Sequence, residues 1–408
     1  MSVSAAYQGA LDAIFAGYLR EKDRIAGRPD REVRTPEALV ALAERLALVP
    51  DPARLVRVSG SKGKGSVTRL VAAMLAQARP GEPVGRITSP EEIEHTDRIQ
   101  VDGRPITEAE FARIWAALAP EVETAARALP PGRYLSPSGL FLLVGLAWFR
   151  ERGVAHVVLE GGRGVRWDEV GRLRSRVGVV TSIFLEHPEY LGPTLSEIAA
   201  DKLAMLDGSE IAVLGPLARP FAAPGGAFIG VEPPTLPLAE APSWLAEDAA
   251  IAAAAAGAYL GRACAPPDPL PSLPSFGRAW TGGVPVTYEG LIAADSFDAA
   301  FWRRELGRGR RPLALLSLPD DKDVSGVAAA FAGLGIPVQH LVLEGERGRL
   351  SHALAEASGA IAGRLRYDDA EACTAALRST LAHTGADRLA LAGTQTFLRL
   401  VRRALGKS

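Results

Sequence analysis

Cysteine is almost missing from this sequence: 408 residues hold two, Cys264 and Cys373. Two such residues exclude a disulfide framework and any cysteine-based zinc spacing. An excess of one charge is missing too, since the formal net charge is −1. Nothing global therefore draws the chain to nucleic acid or to an anionic membrane, and neither is expected as a partner. Long apolar runs are also absent. The longest, Gly139–Phe149, falls short of the roughly 20 residues needed to span a bilayer and reads as a buried helix. The opening segment, MSVSAAYQGALDAIFAGYLREKD, spaces charged and apolar groups like a helix and lacks a secretory apolar core. No internal repeat of 20 to 50 residues is evident. His95, His156, His340, His352 and His383 show no metal-ligand spacing.

What remains is a composition of 48% apolar residues with a mean hydropathy of +0.09, that of a folded chain. The expectation is a cytoplasmic globular protein, and its length favours two domains over one. Short apolar runs alternate with helical patterns. VRVS (56–59), HVVLE (156–160) and VGVVTSI (177–183) read as buried strands, with helical spacing over 67–78, 108–128 and 138–152. Such alternation predicts α/β architecture around a parallel sheet. PPTLPLAEAP and APPDPLPSLPS bracket an alanine-rich helical stretch, Ala246–Leu260. This punctuation marks a helix packed on the first domain, followed by a linker. A second αβ series then runs through PVTYEGLIAAD, a helix from Phe297, RPLALLSL, a helix near 324–334, VQHLVLE, DRLALAGT and a last helix. The boundary is placed near residue 282, giving domains 1–282 and 283–408.

One stretch carries chemistry on its face. LVRVSGSKGKGSVTRLVAAML (55–75) is a strand, a glycine-rich turn with two lysines, and a helix. A turn of this kind points backbone N–H groups into one concavity, where the helix dipole also favours anions. Gly60, Gly63 and Gly65 let the backbone approach a phosphate closely. Lys64 supplies a point charge, and Ser61 or Ser66 a hydroxyl. The Walker A spacing is not met, because Gly65 follows Lys64 where serine or threonine would be required.

The loop does not stand alone. SGSKGKGSVTRL followed by VGRITSPEEIEHTDRIQVDGRPITEAEF resembles the folylpolyglutamate synthase/dihydrofolate synthase branch of the Mur ligase superfamily. That branch reads G-T-N-G-K-G-S, S-P-H-L, E-R-I-x-V-x-G and I-x-E-x-E-F. The similarity continues through VVLEGGRGVRWDEVG and VVTSIFLEHPEYLGPTLSEIAADKLAML, with weaker echoes in FGRAW and LPDDKDVSGV. It covers most of residues 54 to 330.

The resemblance implies an N-terminal P-loop-type ATPase domain with a parallel sheet, then a smaller Rossmann-like α/β domain. It also implies an ATP- and Mg²⁺-dependent ligase. A small-molecule carboxylate is activated as an acyl phosphate and captured by an amine or amino acid, the enzyme working as a monomer. Lys64, with Gly60, Ser61, Lys62, Gly63, Gly65 and Ser66 around it, would bind the nucleotide phosphates. Ser89 and Glu160 match ligands of a first magnesium, and His187 a ligand of a second. Lys202 matches a lysine that is commonly carbamylated and then joins that second metal. Lys64, His187 and Lys202 are the candidate catalytic set. Arg278 and Asp295 match nucleotide contacts from the second domain; Asp295 also reads as a helix N-cap. By residue type alone, Ser89 is a turn residue, and Glu160 and His187 are ordinary loop-side groups.

Departures cluster where substrate would be read. LSPSG (135–139) replaces an aromatic–carboxylate entry to a helix. SPEE places Glu91 where histidine is usual, and DEVG keeps Asp168 beside Arg166 while losing a polar pair. With the nucleotide machinery kept and the substrate motifs changed, the expected activity is amide ligation of a non-folate acid. A glutamate ligase acting on folate or pteroate is the alternative, and a nucleotide-binding partner without catalysis the second.

Overall fold

A computed structural model describes residues 2–233, 241–267, 270–345 and 351–406. Most of PPTLPLAEAP, and two residues of APPDPLPSLPS, lie outside the described residues. The chain forms two compact units. One takes the described chain as far as residue 233 together with Leu245–Pro271; the other takes residues 241–244 and everything from Ser272 onward.

The first unit is built on eight strands: β1 Leu55–Ser59, β2 Val84–Ile87, β3 Ile99–Val101, β4 Arg104–Pro105, β5 His156–Glu160, β6 Ser175–Val180, β7 Ser209–Leu214 and β8 Ile229–Gly230. Their order is β4-β3-β2-β5-β1-β6-β7-β8, parallel except for the β2–β3–β4 edge. Because β1 and β5 are covered on both faces, their sequences are near-continuous apolar runs, as parallel strands require. The third expected strand ends at Val180 rather than Ile183: Thr181 and Ser182 turn aside to hold the loop that follows β1. Register levels the carboxyl ends, with Val58 opposite Glu160 and Ser59 opposite Val180. Polar groups sit at the strand ends, and one charge lies in mid-strand. Arg57, in the middle of β1, is fully buried. Its guanidinium donates to Ser175 and Ser209 hydroxyls and to the carbonyls of Val170, Gly171, Met205 and Asp207.

Helices Val3–Ile25, Glu108–Arg127 and Pro137–Glu151 pack with this sheet around one apolar core. The last is buried along nearly all its length, as its unbroken apolar run predicts, and starts from a Ser136 cap. Among the described residues no helix is long and apolar enough to cross a membrane.

The second unit has six strands: β9 Phe276–Thr281, β10 Val284–Glu289, β11 Pro312–Ser317, β12 Val338–Glu344, β13 Ile361–Arg366 and β14 Arg388–Gly393. The order is β13-β12-β11-β14-β10-β9, with only β9 antiparallel to its neighbour. The boundary read near residue 282 falls inside the β9–β10 hairpin, because β9 pairs along its whole length with β10. The β13 strand and the helix Ala370–Thr384 that follows it were not resolved by sequence pattern.

Candidate functional site

The chain leaves β1 at Gly60 and reaches the helix Lys64–Ala78 through Gly63, both with positive φ (138° and 87°). Each glycine is required twice over. A Cβ on Gly60 would lie 2.0 Å from Thr181 Oγ1, and one on Gly63 2.3 Å from Asp248 Oδ1. No L-residue adopts such backbone conformations comfortably, and neither site has room. Gly65 is different: its conformation is ordinary, but a Cβ would stand 3.3 Å from Glu160 Oε2. The loop is pinned to the end of β6. Ser61 N–H donates to the Ser182 carbonyl at 2.8 Å, and Lys62 N–H to Ser182 Oγ at 2.9 Å. Lys64 Nζ donates to the Gly60 carbonyl at 2.7 Å. Ser66 is buried and hydrogen-bonded to Asp248.

Glu160 closes β5 beside this loop. It is buried, and its Oε2 accepts from the Ser89 N–H at 2.9 Å. Burial raises its carboxyl above the ordinary range, opposed by Lys64, the Ser89 N–H, Arg69 and Arg86. A buried carboxylate in that condition gains from a cation, and the oxygens of Ser89 and Glu160 are the hard donors that magnesium takes. The residues present fit the expected metal.

A second group surrounds Lys202. Lys202 is fully buried, with Nζ 2.8 Å from Glu186 Oε1 and donating to the Arg163 carbonyl. Burial first, then the charge on Lys64, lowers its pKa to about 8, against the pull of Glu186. His187 adopts a left-handed conformation (φ 48°) ahead of the short helix Pro188–Leu191. Its side chain is 38% exposed, with Nε2 3.9 Å from Glu186 Oε2. Lys64 acts electrostatically on both Glu160 and Lys202, so the two groups gather round one lysine. Among the described residues no cluster of three or more His, Cys, Asp or Glu side chains is placed to hold a metal by itself.

The altered motifs turn inward. Glu91 pairs with Arg98 at 2.5 Å and with His95 at 3.4 Å. Burial pushes its carboxyl up, but those two partners outweigh it and hold it far below the usual range. Glu92 takes Arg69 Nε at 2.7 Å. Asp168 and Glu169 are both buried around Arg34, whose Nη2 lies 3.4 and 2.9 Å from them, while Ser136 Oγ donates to Glu169 at 2.8 Å. Nothing in the sequence pointed to Arg34, which is more than 100 positions from its partners. Asp248 was missed as well, although an acid in an alanine-rich helix was a visible signal.

In the second unit, Arg278 lies on β9 and pairs with Glu305, its Nε 2.8 Å from Oε2 and its Nη2 2.9 Å from Oε1. It lines a cavity of about 240 Å³ with Arg304, Arg308 and Arg388. Asp295 is exposed in a short turn. It is not the helix cap: the helix begins at Ala299, two residues later than expected, and Asp298 caps it by accepting from Phe301 N–H at 2.9 Å. An aspartate one turn nearer the helix had the better geometry for that bond.

Two α/β units, the first carrying a glycine-rich loop at the carboxyl end of strand β1, give the fold of the folylpolyglutamate synthases. The enzyme of Mycobacterium tuberculosis, solved with ADP and AMPPCP, superposes with a TM-score of 0.74 at 20% identity, over 97% of this chain and 99% of its own. The bifunctional folylpolyglutamate synthase/dihydrofolate synthase of Yersinia pestis, solved with AMPPNP and Mn, gives 0.70 at 21% over 96% and 98%. In sequence, the chain is 30% identical over 198 residues to the dihydrofolate synthase/folylpolyglutamate synthase of M. tuberculosis, and 31% over 199 residues to that of Bacillus subtilis. These matches take in 45% and 47% of this chain but 40% and 44% of the relatives, so the chain spans less than half the length of the curated relatives it matches. No family model matches. The resemblance read from the motifs is thus met by relatives of that same branch, and the α/β expectation by the fold.

Proposed function

We propose that this chain is an ATP-dependent amide-forming ligase that joins L-glutamate to a folate or pteroate carboxylate. Lys64 and the backbone of Gly60–Ser66 take the phosphates. Ser89 and Glu160 hold one magnesium, and His187 and a carbamylated Lys202 the other; bound there, magnesium neutralises phosphate charge. The substrate carboxylate attacks the γ-phosphate, ADP leaves, and the amine displaces phosphate from the acyl phosphate. The protein's part is positioning and charge compensation, which suits a loop of fixed backbone amides with one lysine. It works as a cytoplasmic monomer on small molecules, without nucleic acid or membrane.

The observation that carries the reading is the convergence of Lys64, Glu160 and Lys202 on one glycine loop at the carboxyl ends of β1 and β5, where α/β ligand sites form. The relatives favour folate over the non-folate acid expected from the changed motifs. The inward pairing of Glu91, Glu92 and Glu169 supports the same choice, since partners within the chain account for those changes. The test is ADP release with Mg-ATP, L-glutamate and either dihydropteroate or tetrahydrofolate, with Lys64→Ala as control. Release that needs both substrates and vanishes in the variant is expected. Nucleotide binding without release on any of these substrates would refute the folate assignment.

A further inference from the structure

The segment RRELGRGRR (303–311) sets five arginines against one acid, in a chain whose net charge is −1. Two of them, Arg304 and Arg308, meet Arg278 of β9 and Arg388 of β14 around the cavity of about 240 Å³ in the second unit. Among the described residues, Glu305 is the one acid in its wall. Both its oxygens are committed. Oε1 accepts from Arg278 Nη2 at 2.9 Å, and Oε2 from Arg278 Nε at 2.8 Å and the Thr287 hydroxyl at 3.0 Å. Arg388 Nη1 reaches only the Glu305 backbone carbonyl, at 3.4 Å, a contact that brings no compensating charge. One carboxylate thus offsets one guanidinium, and the wall keeps a surplus of positive charge on Arg304, Arg308 and Arg388. The Trp280 indole, 69% exposed, forms part of the same wall.

Strands β10 and β14 run parallel. The wall takes residues 285–287 from the amino-terminal part of β10, and Arg388 from the very start of β14. Since α/β folds gather their ligands at the carboxyl ends of strands, this cavity lies at the other edge of the sheet. We infer that it is a binding site for a small oligophosphate anion, held by Arg304, Arg308 and Arg388 and built wholly from the second unit. Guanidinium groups present paired N–H donors in planar forks that match phosphate oxygens, and several together call for an anion of several charges. The site is concave, whereas nucleic acid is met by a basic stripe or face. The inference stands on the second unit alone and does not depend on the role of the glycine loop.

The experiment is calorimetric titration of the full chain with tripolyphosphate, without magnesium, in about 150 mM NaCl, where attraction beyond roughly 8 Å is screened. Wild type is compared with Lys64→Ala and with the double variant Arg304→Gln/Arg308→Gln, each checked by thermal denaturation. Saturable binding should persist in Lys64→Ala and weaken about 30-fold or more when the double substitution is added to it. Binding should also change the tryptophan fluorescence of Lys64→Ala, and Trp280→Phe should remove that change. ATP tested on Lys64→Ala distinguishes the sources: equal affinity assigns the site to free oligophosphate, and a gain over tripolyphosphate that Trp280→Ala abolishes assigns it to the phosphate tail of a nucleotide. The inference fails if binding is lost in Lys64→Ala and kept in the double variant, because the loop is then the only oligophosphate site. It fails equally if no protein binds, or if citrate binds more tightly than tripolyphosphate. Should the double variant melt early, Arg308→Gln alone, at an exposed residue, decides.

Discussion

Raising the pH through 8 should load Lys202 with carbon dioxide. Its ammonium is fully buried beside Glu186, and burial together with the charge on Lys64 brings its pKa from 10.5 to about 8. At pH 7 roughly one such lysine in ten is a neutral amine, against roughly one in three thousand for an ordinary lysine. The neutral amine is the form that attacks carbon dioxide, so the site enriches the reactive species by about 300-fold. The assay is ¹³C NMR of protein in ¹³C-bicarbonate, with the carbamate carbonyl assigned by its loss in Lys202→Met. Intensity should rise with a midpoint near pH 8, and Lys64→Ala should move that midpoint upward. The same shift has a sign in stability. The folded pKa lies below the unfolded one, so between about 8 and 10.5 the unfolded chain binds more protons. Stability must therefore rise with pH across that window, by on the order of 3 kcal/mol in all. A carbamate midpoint near that of an ordinary lysine, a signal that survives in Lys202→Met, or no signal at all would refute the reasoning.

Other expectations follow from the same geometry. Lys64→Ala should lower turnover at least about 100-fold, on the scale of losing one fixed donor to transition-state charge, with an unchanged circular dichroism spectrum. Glu160→Gln should raise the magnesium concentration needed for half-maximal ADP release about tenfold or more; an unchanged metal titration would remove Glu160 from the site. Arg34→Met leaves Asp168 and Glu169 buried without their cation, so urea denaturation should show a loss of about 3–5 kcal/mol. Burial raises both carboxyls in the native chain. Without Arg34 the deficit should shrink as pH falls, because each folded pKa lies above its unfolded value and protonation then favours the fold.

The parts of the fold that could be read from sequence are those whose causes are local. HVVLE (156–160) is strand β5 residue for residue, and VQHLVLE (338–344) is β12, because both are short apolar runs bounded by turn residues. The helix 108–128 was legible from its helical spacing, and the structure adds a Thr107–Glu110 capping box at its start. The candidate site could be placed at strand ends, where the Lys64 loop and Glu160 lie, but not where distant segments meet. Asp248 reaches the loop from about 180 positions away, and Arg34 meets Asp168 and Glu169 across 134 and 135. No spacing encodes such contacts. Nor did pattern reveal β13, IAGRLR, since glycine and two arginines dilute its alternation.

The buried guanidinium of Arg57 has a consequence for how the chain chooses its own alignment. Sliding β1 by two residues along β5 would keep every side chain on its original face, so hydrophobicity barely distinguishes the slipped sheet from the native one. The same slip would carry Arg57 away from two hydroxyls and four carbonyls, leaving a cation in the interior at a cost of several kcal/mol. A single charge thus acts as a key for the central strand. It fixes which residue emerges at the sheet's edge, and so puts Gly60 rather than Val58 or Lys62 at the mouth of the site.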